Sequence, residues 1–573
     1  MWVDSPHQKR SWLSAVLVVA IFLMAAPMLQ EWVQSIHYPI SGEHNHRQAD
    51  TFSVALNFLK HPNFFYPRVH HTYGRTGIHG MEAPIVPYTT SLWMRLFGEK
   101  EWLGRVNTLF YFLLGVWALL LFMRSAQGPH STLLTGSILL FSPMTLFYSR
   151  QIQPDMPMVC IGLLAVALAY RSRRKPWHSL LFGTFVFTIG VLTKYPLLFV
   201  WPAFVIAAVP WRNLSWKDRF VRFAVTCIPL FLVGIWMMWA AYLERRYATG
   251  LPQYFAATPK PSEIWNNIRN FQLGHTVGHI LPKYAIDYTF FPIVVYGLLS
   301  SFQRKYREWA APIWTWMLGA LLLVLMFTSR LHAHYYYAIL YLPPVWIFGA
   351  LGLHRIWTWL RYPHLRQPTS GDTEHTDTYQ DVPWVLAIWL ALFLTQSPWR
   401  WQQATVVVIL SLYMGLSALS PRILASTHRL LKPLLVIGIS LFLCYTSLKA
   451  SHARFHERCH RLGDPYSFTQ RSSDLRKMLG PYVRNDEPIV MIANYNPWFL
   501  HAAARTGWTH YDHYLFRRSR DLNYYRKLGV RWLVVNKVVT RHTPRVLYGK
   551  SPVARSGEWW LYWVGATPPP SRK

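Results

Sequence analysis

The stretch SWLSAVLVVAIFLMAAPMLQEWV, residues 11–33, carries no charge before Glu31 and is long enough to cross a bilayer. Lys9 and Arg10 precede it, as they would precede a signal peptide. The segment is longer than an ordinary signal core, and no small-residue cleavage site follows Gln30-Glu31-Trp32, so a retained anchor is expected. Comparable apolar segments recur down the chain. Of its 573 residues, 52% are hydrophobic and only 14% are charged, which points to a polytopic α-helical membrane protein.

Segments of roughly 20 residues number about thirteen. They fall near 11–31, 106–123, 131–149, 155–170, 178–193, 195–210, 220–243, 285–302, 311–328, 335–357, 383–397, 401–419 and 432–448. Pro196 and Pro398 mark turns inside the two closest pairs. The loops then sort by charge. One holds Arg171, Arg173, Arg174 and Lys175; others hold Arg212, Lys217 and Arg219, or Arg304, Lys305 and Arg307, or Arg422, Arg429 and Lys432. These share a side with Lys9 and Arg10. The alternate short loops carry one cation each: Arg150, Lys194, Arg330 and Arg400. The positive-inside rule places the first set and the N-terminus in the cytoplasm, and an odd span count places the C-terminal region outside. The net charge of +33 is dispersed over these loops instead of forming a patch, so nucleic acid is not an expected partner. The cell membrane is the expected location.

The expected organisation is a membrane catalytic domain over 1–448 and a small extracytoplasmic α/β domain over 449–573. The outer face carries the loops 34–105 and 244–284, and Pro368–Asp381 reads as a solvated linker. In the tail, 488–493, 530–535 and 559–564 read as strands, and 473–479 and 522–528 as helices. Cys160, Cys227 and Cys444 lie in apolar segments and Cys459 stands alone outside them, so no disulfide framework or thiolate metal site is expected.

The first outer loop concentrates polar chemistry. Acids are scarce, 25 Asp and Glu against 58 Lys and Arg, yet this loop holds Glu43, Asp50 and Glu82 with Arg47, Arg68, Arg75 and six histidines from His44 to His79. Asp50 opens a pattern, Phe52, Leu56, Leu59, that suggests a helix lying on the membrane surface, with Asp50 near its N-terminus, ionised and able to accept a proton. Asp155, after Arg150-Gln151-Ile152-Gln153-Pro154, sits at the outer end of a span, either as a helix cap or as a partner to Asp50. Glu82, in Met81-Glu82-Ala83-Pro84, could bind a hydroxyl or anchor the loop. The run Ser329-Arg330-Leu331-His332-Ala333-His334-Tyr335-Tyr336-Tyr337 joins Arg, His and Tyr in a form that can grip a phosphate, although tyrosines also populate membrane interfaces. His44-x-His46 and His332-x-His334 are weak metal signals, and neither a metal nor a cofactor is expected. No Walker motif, dinucleotide turn or nucleophile elbow is present.

At these residues the chain resembles the GT-C membrane glycosyltransferases, and within them the bacterial branch related to protein O-mannosyltransferases and the lipid A aminoarabinose transferase. The resemblance is carried by Arg47-Gln48-Ala49-Asp50-Thr51, by the run from Glu82-Ala83-Pro84 to Tyr88, and by Phe97-Gly98-Glu99 with Glu101 and Arg105. His334-Tyr335-Tyr336 and, in the tail, Asn496-Pro497 with Arg505-Thr506-Gly507-Trp508 complete it. It implies the GT-C fold and a sugar donor carried on a polyprenyl phosphate, with a lipid, glycan or protein acceptor. It implies Asp50 as general base with inversion at the anomeric carbon, and Asp155 as a partner orienting substrate. Arg47, Arg150, Lys194, Arg330, His334 and Tyr335 are the expected substrate and phosphate ligands. Many relatives carry two adjacent acids after the first span; here Ala49 and Thr51 flank Asp50. The competing class is a transporter or lipid flippase, which should hold ionisable residues near mid-membrane and repeated halves.

Overall fold

The computed structural model describes residues 22–70, 76–127, 142–173, 177–210, 214–247, 291–331, 335–361, 448–460, 465–493, 498–510, 519–537 and 549–565, with isolated positions between them. Helix α1 (Ala26–Gln34) closes the first apolar segment. The first outer loop holds α2 (Asn45–Lys60) and α3 (Ile85–Phe97). There follow α4 (Trp102–Gln127), α5 (Pro143–Tyr148), α6 (Asp155–Arg171), α7 (Trp177–Thr193), α8 (Trp201–Ala208), α9 (Trp216–Tyr247), α10 (Phe291–Ser300), α11 (Arg307–Leu331) and α12 (Leu342–Arg361). Two 3-10 segments, Tyr195–Val200 and Tyr335–Tyr341, lead into α8 and α12. Among the described residues, four helical segments are long and apolar enough to cross a membrane: Trp102–Ala126, Trp216–Tyr247, Arg307–Phe327 and Tyr336–Arg355. The expected spans 383–397 and 401–419, most of 432–448, and the Pro368–Asp381 linker lie outside the described residues.

Burial orders the bundle. Helix α6 is apolar all round and nearly every residue from Asp155 to Tyr170 is buried, so it is the central helix. It packs on α4 and α7. The approach to α4 is close: a Cβ on Gly115 would run into the Cys160 side chain, the small-residue contact that lets helices near each other in lipid. By contrast α9 exposes Phe220, Phe231 and Met238, the pattern of a helix facing lipid.

The tail contains α13 (Pro465–Leu479), β1 (Ile489–Ile492), α14 (Trp498–Ala503), β2 (Gly507–His510), α15 (Ser519–Lys527), β3 (Trp532–Asn536), β4 (Ala554–Ser556) and β5 (Trp559–Trp563). The sheet order is β2-β1-β3-β5-β4, with β1 parallel to β2 and β3, and β5 antiparallel to β3 and β4. Alternation along β1 explains its continuous apolar run. Ile489 and Met491 face one cluster, Val490 and Ile492 the other, so both faces are covered.

The first of those faces corrects one expectation. The cluster containing Ile489, Met491, Trp532 and Trp498 also contains Ala49, Phe52 and Ala55 of α2, with Leu56 and Leu59 at its edge. Phe52 meets the His501 ring edge-on at 5.4 Å. The apolar stripe of α2 is therefore covered by α14 and the sheet, not by a lipid surface. Periodicity identifies an apolar face but not what covers it.

Candidate active site

The outer-loop residues converge where several helices end. Because α6 and α7 are antiparallel neighbours, the start of α6 and the end of α7 meet at one end of the bundle. The Tyr335–Tyr341 segment packs on α6 there, and the loop 38–44 packs over it.

Asp155 and Lys194 form the buried centre. Asp155 is the first residue of α6 and makes no cap hydrogen bond; its Oδ1 accepts from Lys194 Nζ at 2.5 Å. Both side chains are about 2–3% exposed, so the pair is almost fully desolvated. Lys194 Nζ also lies 4.7 Å from the Tyr336 ring centre and 5.3 Å from that of Tyr337. Arg47 and Glu82 act electrostatically on it. Asp155 is thus committed to Lys194 and is neither a helix cap nor an open partner for Asp50.

Asp50 is different. Helix α2 begins at Asn45, after His44 in a left-handed conformation (φ 57°), so Asp50 lies in the second turn and not at the N-terminus. It is half-buried, and its carboxylate has no hydrogen-bond partner among the described residues. Burial raises its pKa from 3.8 to about 6, against the opposing pull of Arg47 and His79. A carboxylate poised this way is a competent base at neutral pH.

The run 79–84 is fixed by backbone contacts. His79 Nδ1 lies 3.0 Å from Glu244 Oε2, which also accepts from Gly80 N–H at 3.1 Å. Trp236 Nε1 donates to Met81 O at 3.0 Å, and Ala83 N–H to Leu192 O at 3.0 Å. A Cβ on Gly80 would run into the Ala240 carbonyl, so glycine permits this approach to α9. Glu82 is held buried between these anchors, within electrostatic reach of Lys194.

Above the Lys194 pair, His44 stacks edge-on to Tyr336 at 5.0 Å. The Tyr148 hydroxyl is buried and has no hydrogen-bond partner among the described residues. Glu43, Asp155 and Tyr336 all act electrostatically on it. Such an orphaned donor is the kind of group that meets a ligand.

Arg150 corrects a further expectation. It is 2% exposed, its guanidinium donates to Ser35 O at 3.3 Å and to Cys459 Sγ, and it lies over the Phe147 and Phe455 rings. It ties the end of α1 to the 448–460 helix. The side chains of Arg330 and Tyr335, and His334 altogether, lie outside the described residues.

Two groups were given no role by the sequence reading, although Arg105 lies in one of the motifs that carry the resemblance. Arg105, buried in α4, donates to Pro39 O at 2.9 Å, to Tyr38 O and Gln48 Oε1 at 3.3 Å each, and to Arg150 O at 3.4 Å. It clamps the loop before α2. The other is Glu244, whose partners His79 and Gly80 are so distant in sequence that no local motif links them. A separate cleft of about 690 Å³, lined by Lys60, Tyr66, Arg68 and Tyr247 among others, lies at the far end of α2, roughly 15 Å along the helix from Asp50.

Residues 81–239 match the family described as dolichyl-phosphate-mannose-protein mannosyltransferase. That range contains Glu82, Arg150, Asp155 and Lys194; Asp50 lies upstream of it. ArnT from Cupriavidus metallidurans bound to undecaprenyl phosphate superposes with a TM-score of 0.58 at 14% identity, over 96% of this chain and 98% of that one. The chain has the GT-C fold. The apo state of the same ArnT gives 0.57 at 15% identity, over 95% and 98%. The apo oligosaccharyltransferase of Archaeoglobus fulgidus gives 0.52 at 12% identity, over 92% of this chain and 70% of that one. No curated protein matches by sequence.

Proposed function

We propose that the protein is an inverting glycosyltransferase that moves a sugar from a polyprenyl-phosphate donor to an acceptor hydroxyl at the outer face of the cell membrane. The carrying observation is the half-buried Asp50 carboxylate, which no described residue hydrogen-bonds, together with Arg47, which acts electrostatically both on Asp50 and on Lys194 of the buried Lys194–Asp155 pair. That ArnT was seen with undecaprenyl phosphate on the same fold supports the donor class.

The chemistry divides accordingly. Asp50 takes the proton of the acceptor hydroxyl as its oxygen attacks the anomeric carbon. The bond from that carbon to the phosphate oxygen breaks, and polyprenyl phosphate leaves with its electron pair. A phosphate needs no proton to depart, only positive charge around it. Arg47 and Lys194 supply that charge, and the sequence assigns Arg330, His334 and Tyr335 to the same phosphate. Asp155 holds Lys194 and keeps its charge balanced before the lipid binds. Glu82 and the Tyr148 hydroxyl remain to orient the sugar. One displacement inverts the anomeric carbon. The tail's cation-rich surface and the loop 244–284 would face the acceptor outside.

The test is reconstitution of the purified full-length protein in liposomes with a synthetic polyprenyl-phosphate sugar and the envelope lipids and glycans of the parent cell. Protein-dependent release of polyprenyl phosphate with an inverted product is expected. Movement of the intact lipid between leaflets without cleavage would favour a flippase, and retention at the anomeric carbon would exclude the single displacement.

A further inference from the structure

Glu31 lies in the C-terminal half of α1 and is buried. Three imidazoles of the 448–460 helix converge on it. His452 Nε2 lies 2.7 Å from Oε2, His456 Nδ1 lies 2.8 Å from Oε1, and His460 Nε2 lies 3.8 Å from the same Oε1. The spacing 452, 456, 460 places all three on one helical face, since residues four apart stack one turn above another. His456 and His460 stack with ring centres 4.1 Å apart.

Among the described residues, this is the one place where three such groups bring ligand atoms within 4.8 Å of one another. His452 and His456 take one carboxylate oxygen each, whereas His460 stands 3.8 Å from the oxygen that His456 takes, too far for a hydrogen bond. Its ring nitrogen is nevertheless close enough to share an ion with that oxygen and with His456. Two histidines at i and i+4 with a carboxylate from another element form a donor set suited to borderline divalent ions, with an open position for water.

We propose that Glu31, His456 and His460 form a binding site for a divalent transition-metal ion of the Zn²⁺ type. His452 hydrogen-bonds the second oxygen of Glu31 and sets its orientation, the role outer partners play around metal ligands. The ion joins the first helix to the segment that enters the tail. The same segment carries Arg458, whose carbonyl accepts from Glu43 N–H at 3.2 Å, so the site braces the loop leading to α2. It is distinct from the Asp50 and Lys194 groups, and its role is structural.

The test uses the tag-free, full-length protein in detergent, stripped with a chelator and titrated with Zn²⁺ and then with Co²⁺. The stripped protein should regain one Zn²⁺ per chain, gain thermal stability on doing so, and give a Co²⁺ visible spectrum of nitrogen and oxygen ligation. His456→Ala, His460→Ala and Glu31→Gln should each lose the bound ion. His452→Ala should keep it with affinity lowered roughly 10–100-fold. No uptake by the wild-type chain overturns the proposal, as does full uptake by Glu31→Gln and His460→Ala. A thiolate charge-transfer band would overturn the assigned donor set by implicating Cys459. If the ligand variants fail to fold, the wild-type stoichiometry and Co²⁺ spectrum decide the matter on their own.

Discussion

A carboxyl with a pKa of about 6 is half protonated one unit below neutrality, and this sets a pH limit on the reaction. If Asp50 is the base, kcat/KM should fall as pH drops through about 6 and level off above it. A profile flat from pH 5 to 8 would remove Asp50 from that role. The same shift has a sign for stability. Folding raises this pKa, so the native state favours the protonated form, and ionised Asp50 opposes folding above the ordinary carboxyl range. Asp50→Asn should therefore leave thermal stability at neutral pH equal or higher. Lys194 and Asp155 behave oppositely. Removing one partner of so buried a pair should cost roughly 3–5 kcal/mol, and replacing both with neutral residues should cost less than the two single changes together. Denaturation of Asp155→Asn, Lys194→Met and the double variant in detergent checks this; additive losses would show that the two are not coupled. Asp50 stands out in the sequence because acids are scarce in the chain as a whole. His79 and Glu244 could not, since their contact is made only by folding. Arg150 reads like a substrate ligand in sequence, yet it is buried between α1 and the 448–460 helix.

At the scale of elements, α2 is the joint between the membrane part and the tail. Phe52→Ala should cost roughly 3–5 kcal/mol, because it empties a fully packed site between α2 and α14. A loss below 1 kcal/mol would mean the interface is loose. A second joint is polar. Glu101 Oε1 meets His501 Nε2 at 2.9 Å and its Oε2 accepts from Ile40 N–H at 2.8 Å. Burial pushes the Glu101 carboxyl up, but His501, the Ile40 N–H and Arg105 outweigh it and hold the pKa down to about 2. Its contribution is thus present above the ordinary value of 4.5 and is lost as pH falls toward 2. Glu101→Gln should flatten the acid limb of a stability profile over that window; an unchanged limb would contradict the linkage. The alternating strands β1, β3 and β5 were legible from their apolar runs. Strand β4 and helix α14 are short and carry no periodic signal, and the cover over α2 is a tertiary choice that no local pattern encodes.

For the whole molecule, long apolar segments anticipate a helical bundle, because a helix crossing a bilayer needs roughly 20 apolar residues, although several described helices are shorter, α5 and α8 among them. Such segments do not say which helix is central. That distinction belongs to α6, whose neighbours bury every face and whose first residue anchors Lys194. The central claim joins this frame to Asp50, which lies outside the range matched by the family. Its most direct test is sugar transfer from a polyprenyl-phosphate donor by wild-type and Asp50→Asn proteins purified side by side, with donor binding and thermal unfolding measured on both. Transfer by Asp50→Asn reduced at least about 100-fold, at the low end of what a positioned base contributes, with donor affinity and folding retained, is the predicted result. Transfer at the wild-type rate by the folded variant would contradict it.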